Sequence, residues 1–240
     1  MRNFILLSNM NDTKKIVALT GAGISAESGI TTFRDSGGLW EKYDVMEVAS
    51  IQGWHKNPQL MLQFYNERRK QLGEVQPNDA HRLLAALEQH FDVTVVTQNV
   101  DNLHERGGSS KIIHLHGELT KARSSTDPNM VIDIGYEPIQ WGQKAADGTQ
   151  LRPQVVWFGE SVPMIATAAE IVATADIVLI IGTSLNVYPA AGLVEYSQPQ
   201  AAIYLIDPNE VARPSKKVTV IQEKATTGMK KLIELLGVKV

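Results

Sequence analysis

Residues 15–40 read KIVALTGAGISAESGITTFRDSGGLW, and the fold is decided in their first half. Ile16-Val17-Ala18-Leu19 is an apolar, partly β-branched run that predicts a strand. It breaks into Gly21-Ala22-Gly23 and continues through Ser25 and Ala26 to Glu27. A strand that runs into glycines and then a helix start has the form of a phosphate-binding turn. Glycines let the backbone come close to a pyrophosphate, and helix N-terminal amides with their partial positive charge hold it. Gly21, Gly23 and Ala26 fit the dinucleotide spacing G-x-G-x-x-G/A, although a tight strand-to-helix turn with no ligand has the same spacing. The continuation differs from a dehydrogenase. Roughly 20 residues on, where that fingerprint places an acid at the end of a second strand, stands Gly37-Gly38-Leu39-Trp40. The polar run from Thr31 to Gly38 predicts a loop folded over a cofactor, offering Phe33 and Arg34. The expectation is a dinucleotide site that does not transfer hydride.

Composition bounds the rest. The 240 residues are 43% hydrophobic and 20% charged, which suits one large α/β domain with a small insert. A net charge of −3 gives no basic footprint, so nucleic acid is not an expected partner. No apolar run approaches the ~18 residues of a membrane span, and Phe4-Ile5-Leu6-Leu7 is too short for a signal-peptide core. Cysteine is absent, which excludes disulfides, cysteine nucleophiles and thiolate zinc sites; a cytoplasmic location is expected.

Along the chain, Asn57-Pro58 predicts an N-cap with proline at the first helical position. The helix is expected to end at Leu72, closed by Gly73. Its stripe is Met61, Phe64, Tyr65 and Leu72, with Arg68 on the same face one turn from Tyr65. Glu67, Arg69 and Lys70 are expected to face solvent. An arginine on an apolar stripe is paired with an internal acid, reaches for water, or awaits an anionic ligand. A second helix from Asp79 to about His90 carries Leu83, Leu84 and Leu87 as its core face. The strand 91–96 then ends in Thr97-Gln98-Asn99-Val100-Asp101. Polar residues just past a buried strand sit where open α/β sheets bind ligands, or they cap the next helix. A short strand 111–115 leads to His116-Gly117. His114, His116 and His104 lack a clean acidic partner for a metal, so no metal site is expected. His116, at a strand's carboxyl end, is a general-base candidate.

Residues 118–152 form the expected insert, with a turn at Ala145-Ala146-Asp147-Gly148. A strand over 155–158 follows, ended by Gly159-Glu160, and then a helix over 164–174. The strand 177–181 runs into Gly182-Thr183-Ser184, a second small-residue turn. The strand 201–206 is closed by Asp207-Pro208-Asn209, and an amphipathic helix over 227–236 ends the chain. The alternation implies a doubly wound parallel, Rossmann-like α/β sheet. The expected division is one catalytic domain over 1–240. Its core comprises about 12–40, 78–116 and 153–240, and a smaller module comes from insertions at about 41–77 and 117–152.

GAGIS at 21–25, TTFRD at 31–35, TQNVD at 97–101, HLHGEL at 114–119, VVWFGE at 155–160 and GTSLNVYPAA at 182–191 together resemble the sirtuin family. The resemblance runs from Lys15 to the last helix. It implies NAD-dependent removal of acyl groups from protein lysine side chains, giving nicotinamide, free lysine and O-acyl-ADP-ribose. It implies His116 as the base that activates a ribose hydroxyl, Asn99 and Asp101 as the nicotinamide pocket, and Gln98 as a ribose contact. Ala22, Phe33 and Arg34 match the cofactor loop, Phe33 shielding the reactive carbon from water. Gly21, Gly23, Ser25, Trp40 and Thr183 join the implied cofactor contacts, and Gly182, Ser184, Lys224 and Ala225 match the adenosine lining. Val156 and Phe158 match the apolar tunnel around the lysine stem. Gly159-Glu160 and Asn186-Val187 match the two edges between which the substrate backbone lies as an added strand. Tyr65 and Arg68 match the Tyr-x-x-Arg pair of sirtuins acting on succinyl, malonyl and glutaryl lysine, where a guanidinium fork and a phenol meet a distal carboxylate.

Two positions depart from the family. Ser124 and Asp127 stand where its first zinc-binding cysteine pair belongs, and the second pair is absent, so no zinc is expected. The insert is then expected to be held by Met130, Ile132, Ile134, Tyr136, Ile139 and Trp141. Asp207 replaces a ribose-binding asparagine; it accepts equally well from ribose hydroxyls and disfavours a phosphate, hence NAD over NADP. NAD hydrolysis or protein ADP-ribosylation is the alternative chemistry on the same cofactor, and a non-catalytic NAD-binding module is a second.

Overall fold

The computed structural model describes residues 13–30, 42–183, 185–211 and 217–240. Six parallel strands form the main sheet in the order β3-β2-β1-β7-β8-β9. They are β1 (Lys15–Thr20), β2 (Asp92–Thr97), β3 (Ile112–His114), β7 (Ile177–Ile181), β8 (Ala202–Ile206) and β9 (Val218–Ile221). An antiparallel three-stranded sheet, ordered β5-β4-β6, is built from β4 (Gly117–Ser124), β5 (Val131–Asp133) and β6 (Leu151–Val155). The helices are α1 (Gly23–Ala26), α2 (Val45–Val48), α3 (Ile51–Lys56), α4 (Pro58–Glu74), α5 (Asp79–Ala86), α6 (Leu103–Gly107), α7 (Ile165–Val172) and α8 (Ala225–Leu236).

The apolar run of β1 is continuous because both of its faces are covered. Ile16 and Ala18 enter a core with Leu84 and Leu87 from the α5 segment and Met229 and Leu232 from α8. Val17 and Leu19 enter the opposite core with Ala168 and Val172 of α7 and Leu193. Strand order reverses direction between β1 and β7, so their carboxyl ends flank the crevice where open α/β sheets bind ligands. The two small-residue turns meet there. A Cβ on Gly23 would lie 2.6 Å from the Gly182 Cα, and Gly182 itself holds φ +62. In this chain these glycines let two turns touch each other, beyond any approach to a phosphate.

A third core joins α4 to the small sheet: Met61, Phe64, Tyr65 and Leu72 pack with Leu119, Ala122, Leu151, Val155 and Trp157. The Asn57 side chain accepts from the Leu60 amide at 3.1 Å, as the N-cap reading requires. The helix passes Gly73 and ends at Glu74. Gly73 is not its cap: a Cβ there would lie 3.3 Å from Cγ of Tyr136, so glycine makes room for that ring. Arg69 is a correction of larger consequence. It is fully buried, donating from Nε to the Leu119 carbonyl at 2.6 Å and from Nη1 to Asn66 Oδ1 at 2.8 Å. Desolvation pulls its guanidinium down to about 10. It staples α4 to β4, and the 3.6-residue period alone could not separate it from its exposed neighbour Lys70.

The insert is held only in part by the residues expected. Ile139 is buried in the α4 core and Ile134 packs against it, but Ile132, Tyr136 and Trp141 are 44%, 42% and 55% exposed. Two polar clusters hold it as well. In the first, the buried Ser124 hydroxyl accepts from the amides of Thr126 (3.0 Å) and Asp127 (2.9 Å) and donates to Asp147 Oδ2 at 2.5 Å. Asp147 also accepts from the Thr126 hydroxyl (3.0 Å) and from the amide (3.0 Å) and hydroxyl (2.8 Å) of Thr149. The Ser124 hydroxyl, ahead of the Thr149 donors, holds the Asp147 carboxyl well below the usual carboxylate range. In the second, Arg152 grips both carboxylate oxygens of Glu160 at 2.8 and 2.9 Å, with Arg123 adding a contact at 3.1 Å. The expected strand over 155–158 is divided: β6 ends at Val155 in the small sheet, and Phe158 makes only an isolated bridge to Ser50. Among the described residues, no helix is long and apolar enough to cross a membrane.

Candidate active site at the carboxyl edge of the sheet

Four elements deliver polar groups to the β1/β7 crevice. Beyond β2, the Gln98 amide continues the ladder onto the Thr20 carbonyl at 2.9 Å, so the following residues are launched from the sheet edge. Gln98 Nε2 then donates to the Thr183 hydroxyl beyond β7 at 3.1 Å. Asn99 is buried, its carboxamide donating to the Gly21 carbonyl and to the Ser25 hydroxyl, both at 3.2 Å. Ser25 donates in turn to Asp101 Oδ2 at 3.0 Å. Burial pushes the Asp101 carboxyl up, against hydrogen bonds from the Leu103 amide and Ser25 that draw it down. Because Asp101 Oδ1 takes the Leu103 amide at 3.1 Å, it also caps α6.

His116 follows β3 and directs Nδ1 to the Gln98 carbonyl at 3.0 Å. A carbonyl only accepts, so Nδ1 carries the proton and Nε2 carries the free lone pair. Burial lowers the imidazole's pKa despite that hydrogen bond, keeping the ring neutral. A neutral imidazole with one fixed tautomer is the form a general base needs. Beneath the site lie two buried histidines. His104 Nε2 meets the Thr20 hydroxyl at 2.9 Å, and His81 stands 5.0 Å from it, ring centroid to ring centroid. Desolvation lowers both, His81 to about 4, so they serve as neutral packing groups.

The core over α4 is aromatic, with Phe64, Tyr65 and Trp157 buried together. The Tyr65 hydroxyl accepts from Trp157 Nε1 at 2.9 Å, which leaves its own proton to donate. The Arg68 guanidinium carbon lies 5.7 Å from the ring centroids of both Phe64 and Tyr65. Burial is the largest influence on Arg68 and lowers its pKa, against the fields of Tyr65 and Asp101. Arg152 stacks over Trp157 with its guanidinium carbon 3.4 Å from the ring centroid.

The remaining sequence candidates sit as follows. Val156 is half-buried and its amide donates to the His116 carbonyl at 2.9 Å. Phe158, Gly159, Asn186 and Val187 are exposed. The Glu160 side chain is committed to Arg123, Arg152 and the Trp157 amide (2.8 Å), so only its backbone is left for a substrate edge. Asp207 is buried at the end of β8 and accepts from the Asn209 amide at 2.9 Å. Ala225 is buried in the α8 core, whereas Lys224 is exposed. Phe33, Arg34, Trp40 and Ser184 lie outside the described residues. Arg152, Trp157 and Glu105 were missed by the sequence reading; of these, only Trp157 lay within a motif that had been singled out.

The donor set fits a dinucleotide: carboxamides at Gln98 and Asn99 and acids at Asp101 and Asp207 suit an amide and ribose hydroxyls. It does not fit zinc at Ser124, where hydroxyls and one carboxylate already satisfy one another and no thiolate or imidazole takes part. Glu105, His114 and Glu118 do bring potential ligand atoms within 4.8 Å of one another. Glu118, however, holds the Lys121 ammonium at 2.7 Å.

Comparison with known proteins agrees with this geometry. The Sir2 family model matches residues 21–189. A protein of Bacteroides thetaiotaomicron named NAD-dependent protein deacylase is 57% identical over 229 residues, covering 93% of this chain and 98% of that protein. A Helicobacter pylori protein of the same name is 54% identical over 224 residues, covering 93% and 95%. The solved structure of a Sir2 homologue–NAD complex superposes with TM-score 0.84 at 38% identity, covering 96% of this chain and 95% of that one. An ADP-ribose complex of a mutant Sir2 homologue gives TM-score 0.85 at 38% identity, with 95% and 96% coverage.

Proposed function

Because the chain belongs to the Sir2 family and is an NAD-dependent protein deacylase, we propose that the acyl groups it removes from protein lysines are acidic: succinyl, malonyl and glutaryl. The observation that carries this reading is Arg68, whose guanidinium carbon lies 5.7 Å from the ring centroids of both Phe64 and Tyr65, beside the Tyr65 hydroxyl. A carboxylate arriving there gains a charge-assisted, bidentate partner in a setting of low dielectric, together with the Tyr65 proton. An acetyl group gains neither.

Bound NAD supplies an electrophilic ribose carbon with nicotinamide as leaving group. The chain's own part is orientation and proton handling. With NAD bound, Asn99 and Asp101 would orient the nicotinamide, Gln98 and Asp207 would take ribose hydroxyls, and His116 Nε2 would serve as the base for the hydroxyl that receives the acyl carbon. Val156 and Phe158 flank the lysine stem, and the backbones at 159–160 and 186–187 receive the substrate strand. Zinc has no part in this reading, and neither do nucleic acids or membranes.

Mass spectrometry of one peptide carrying succinyl-lysine or acetyl-lysine tests the preference. With NAD, the wild type is expected to favour succinyl. Arg68→Met is expected to lose about 10–100-fold on succinyl while acetyl removal stays within a few-fold. Acetyl favoured by both proteins would make Arg68 structural. NAD consumed with neither peptide changed would transfer the reading to NAD hydrolysis. Dialysis against a chelator is expected to leave Tm unchanged, and stoichiometric zinc in the purified protein would overturn the zinc-free reading.

A further inference from the structure

His114 is absorbed neither by the base role of His116 nor by the core. It ends β3 two residues before His116, and its Nδ1 lies 3.2 Å from the Asn99 carbonyl. The pair of histidines thus addresses consecutive carbonyls, His116 that of Gln98 and His114 that of Asn99. Each carbonyl only accepts, so each Nδ1 is protonated. The far sides of the rings differ. Nε2 of His114 lies 2.6 Å from Glu105 Oε1 on α6. Burial alone would lower His114 and raise Glu105. Their mutual contact outweighs it in both, raising the imidazole and lowering the carboxyl. With a carbonyl at one nitrogen and a carboxylate at the other, His114 is placed to donate from both, with only 9% of its side chain exposed. The other charged or titratable groups that face it are Glu118 on β4, whose carboxylate Lys121 also holds, and Asp101 and His104.

We propose that Glu105 and His114 are positioning residues for Asn99: a charged imidazole, fixed by the α6 carboxylate, holds the Asn99 peptide so that its carboxamide faces the crevice. The inference rests on the NAD-dependent deacylase reading, in which Asn99 orients the nicotinamide. The neighbours of Asn99 are held by Thr20, His116, Leu119 and Ser25, and Asn99 itself by its amide on the Thr97 hydroxyl, by the carboxamide and, at its carbonyl, by His114. The carboxamide contacts are the ones a ligand would disturb. A neutral imidazole has one N–H and would have to divide it between the Asn99 carbonyl and Glu105; the charge removes that choice.

The test combines histidine ¹⁵N NMR, calorimetric NAD titration and steady-state kinetics on the full chain. At pH 7 the spectra are expected to show His114 protonated on both nitrogens and His116 on Nδ1 alone. His114→Leu is expected to lower kcat about tenfold or more, weaken NAD binding, and leave the acyl-peptide KM within about twofold. His114→Gln, which keeps a donor, should recover most of the loss. Glu105→Gln should leave His114 singly protonated with an intermediate kcat, and it carries the test should His114→Leu fail to fold. A wild-type His114 protonated on one nitrogen, or unchanged kcat and NAD affinity in these variants, would overturn the proposal. A wild type that binds NAD but turns over no acyl peptide would remove the deacylase reading, with the spectra still deciding the protonation of His114.

Discussion

His116→Ala is expected to slow acyl-lysine removal by roughly 10²–10⁴-fold, the range a positioned general base contributes, while NAD still binds. The choice of base follows from the two rings after β3. His114 has both nitrogens engaged, one on the Asn99 carbonyl and one on Glu105. Both nitrogens face acceptors, so neither is placed to take a proton from a substrate. The His116 ring donates from Nδ1 to the Gln98 carbonyl, and burial lowers its pKa. The pH dependence follows in sign. A base whose pKa is lowered below the ordinary histidine value of about 6.5 loses its lone pair only at lower pH. The acid limb of kcat/KM should therefore fall below that value, with the rate flat from there up to neutrality. Calorimetric NAD titration separates lost chemistry from lost binding in His116→Ala. A variant with wild-type turnover would show that another group takes the proton.

The sequence made the sheet legible for a physical reason. β1 and β7 are buried on both faces, so their apolar runs are unbroken and end abruptly in small residues. The carboxyl-edge positions of Gln98, Asn99 and Asp101 followed from where β2 stops, and that of His116 from the end of β3. What was missed depends on contacts distant in sequence. Arg69 reads as a surface charge until β4 places the Leu119 carbonyl 50 residues away against it. Arg152 and Glu160 are ordinary residues of a polar stretch until they pair. The missing cysteines said that no zinc clamp is expected, but not that Ser124 would be joined to Asp147 and Thr149 by hydrogen bonds. Exposed Tyr136 and Trp141 were taken for core because their size, and not their neighbours, was all that could be read.

Glu160→Ala is expected to destabilise the protein by about 3–5 kcal/mol, the cost of leaving a buried charge without its partner. Arg152 is the charge concerned, with 3% of its side chain exposed and both carboxylate oxygens of Glu160 in its grip. Its remaining contacts, the Val155 carbonyl at 2.9 Å and the Trp157 ring, cannot neutralise it. Glu160 also anchors the Trp157 amide, and the Trp157 indole N–H holds the Tyr65 hydroxyl. The loss should therefore reach the acyl pocket, reducing succinyl removal more than acetyl removal in whatever protein remains folded. Glu160→Gln keeps the shape and one acceptor oxygen but turns an NH2 donor toward the donors on the other side, so it should cost less than the alanine while still losing the charge and one acceptor. Urea unfolding followed by tryptophan fluorescence measures both variants. If Glu160→Ala falls within about 1 kcal/mol of wild type, the pair behaves as a solvent-screened surface bridge, and the small module is then held mainly by the Ser124–Asp147 cluster and the α4 core.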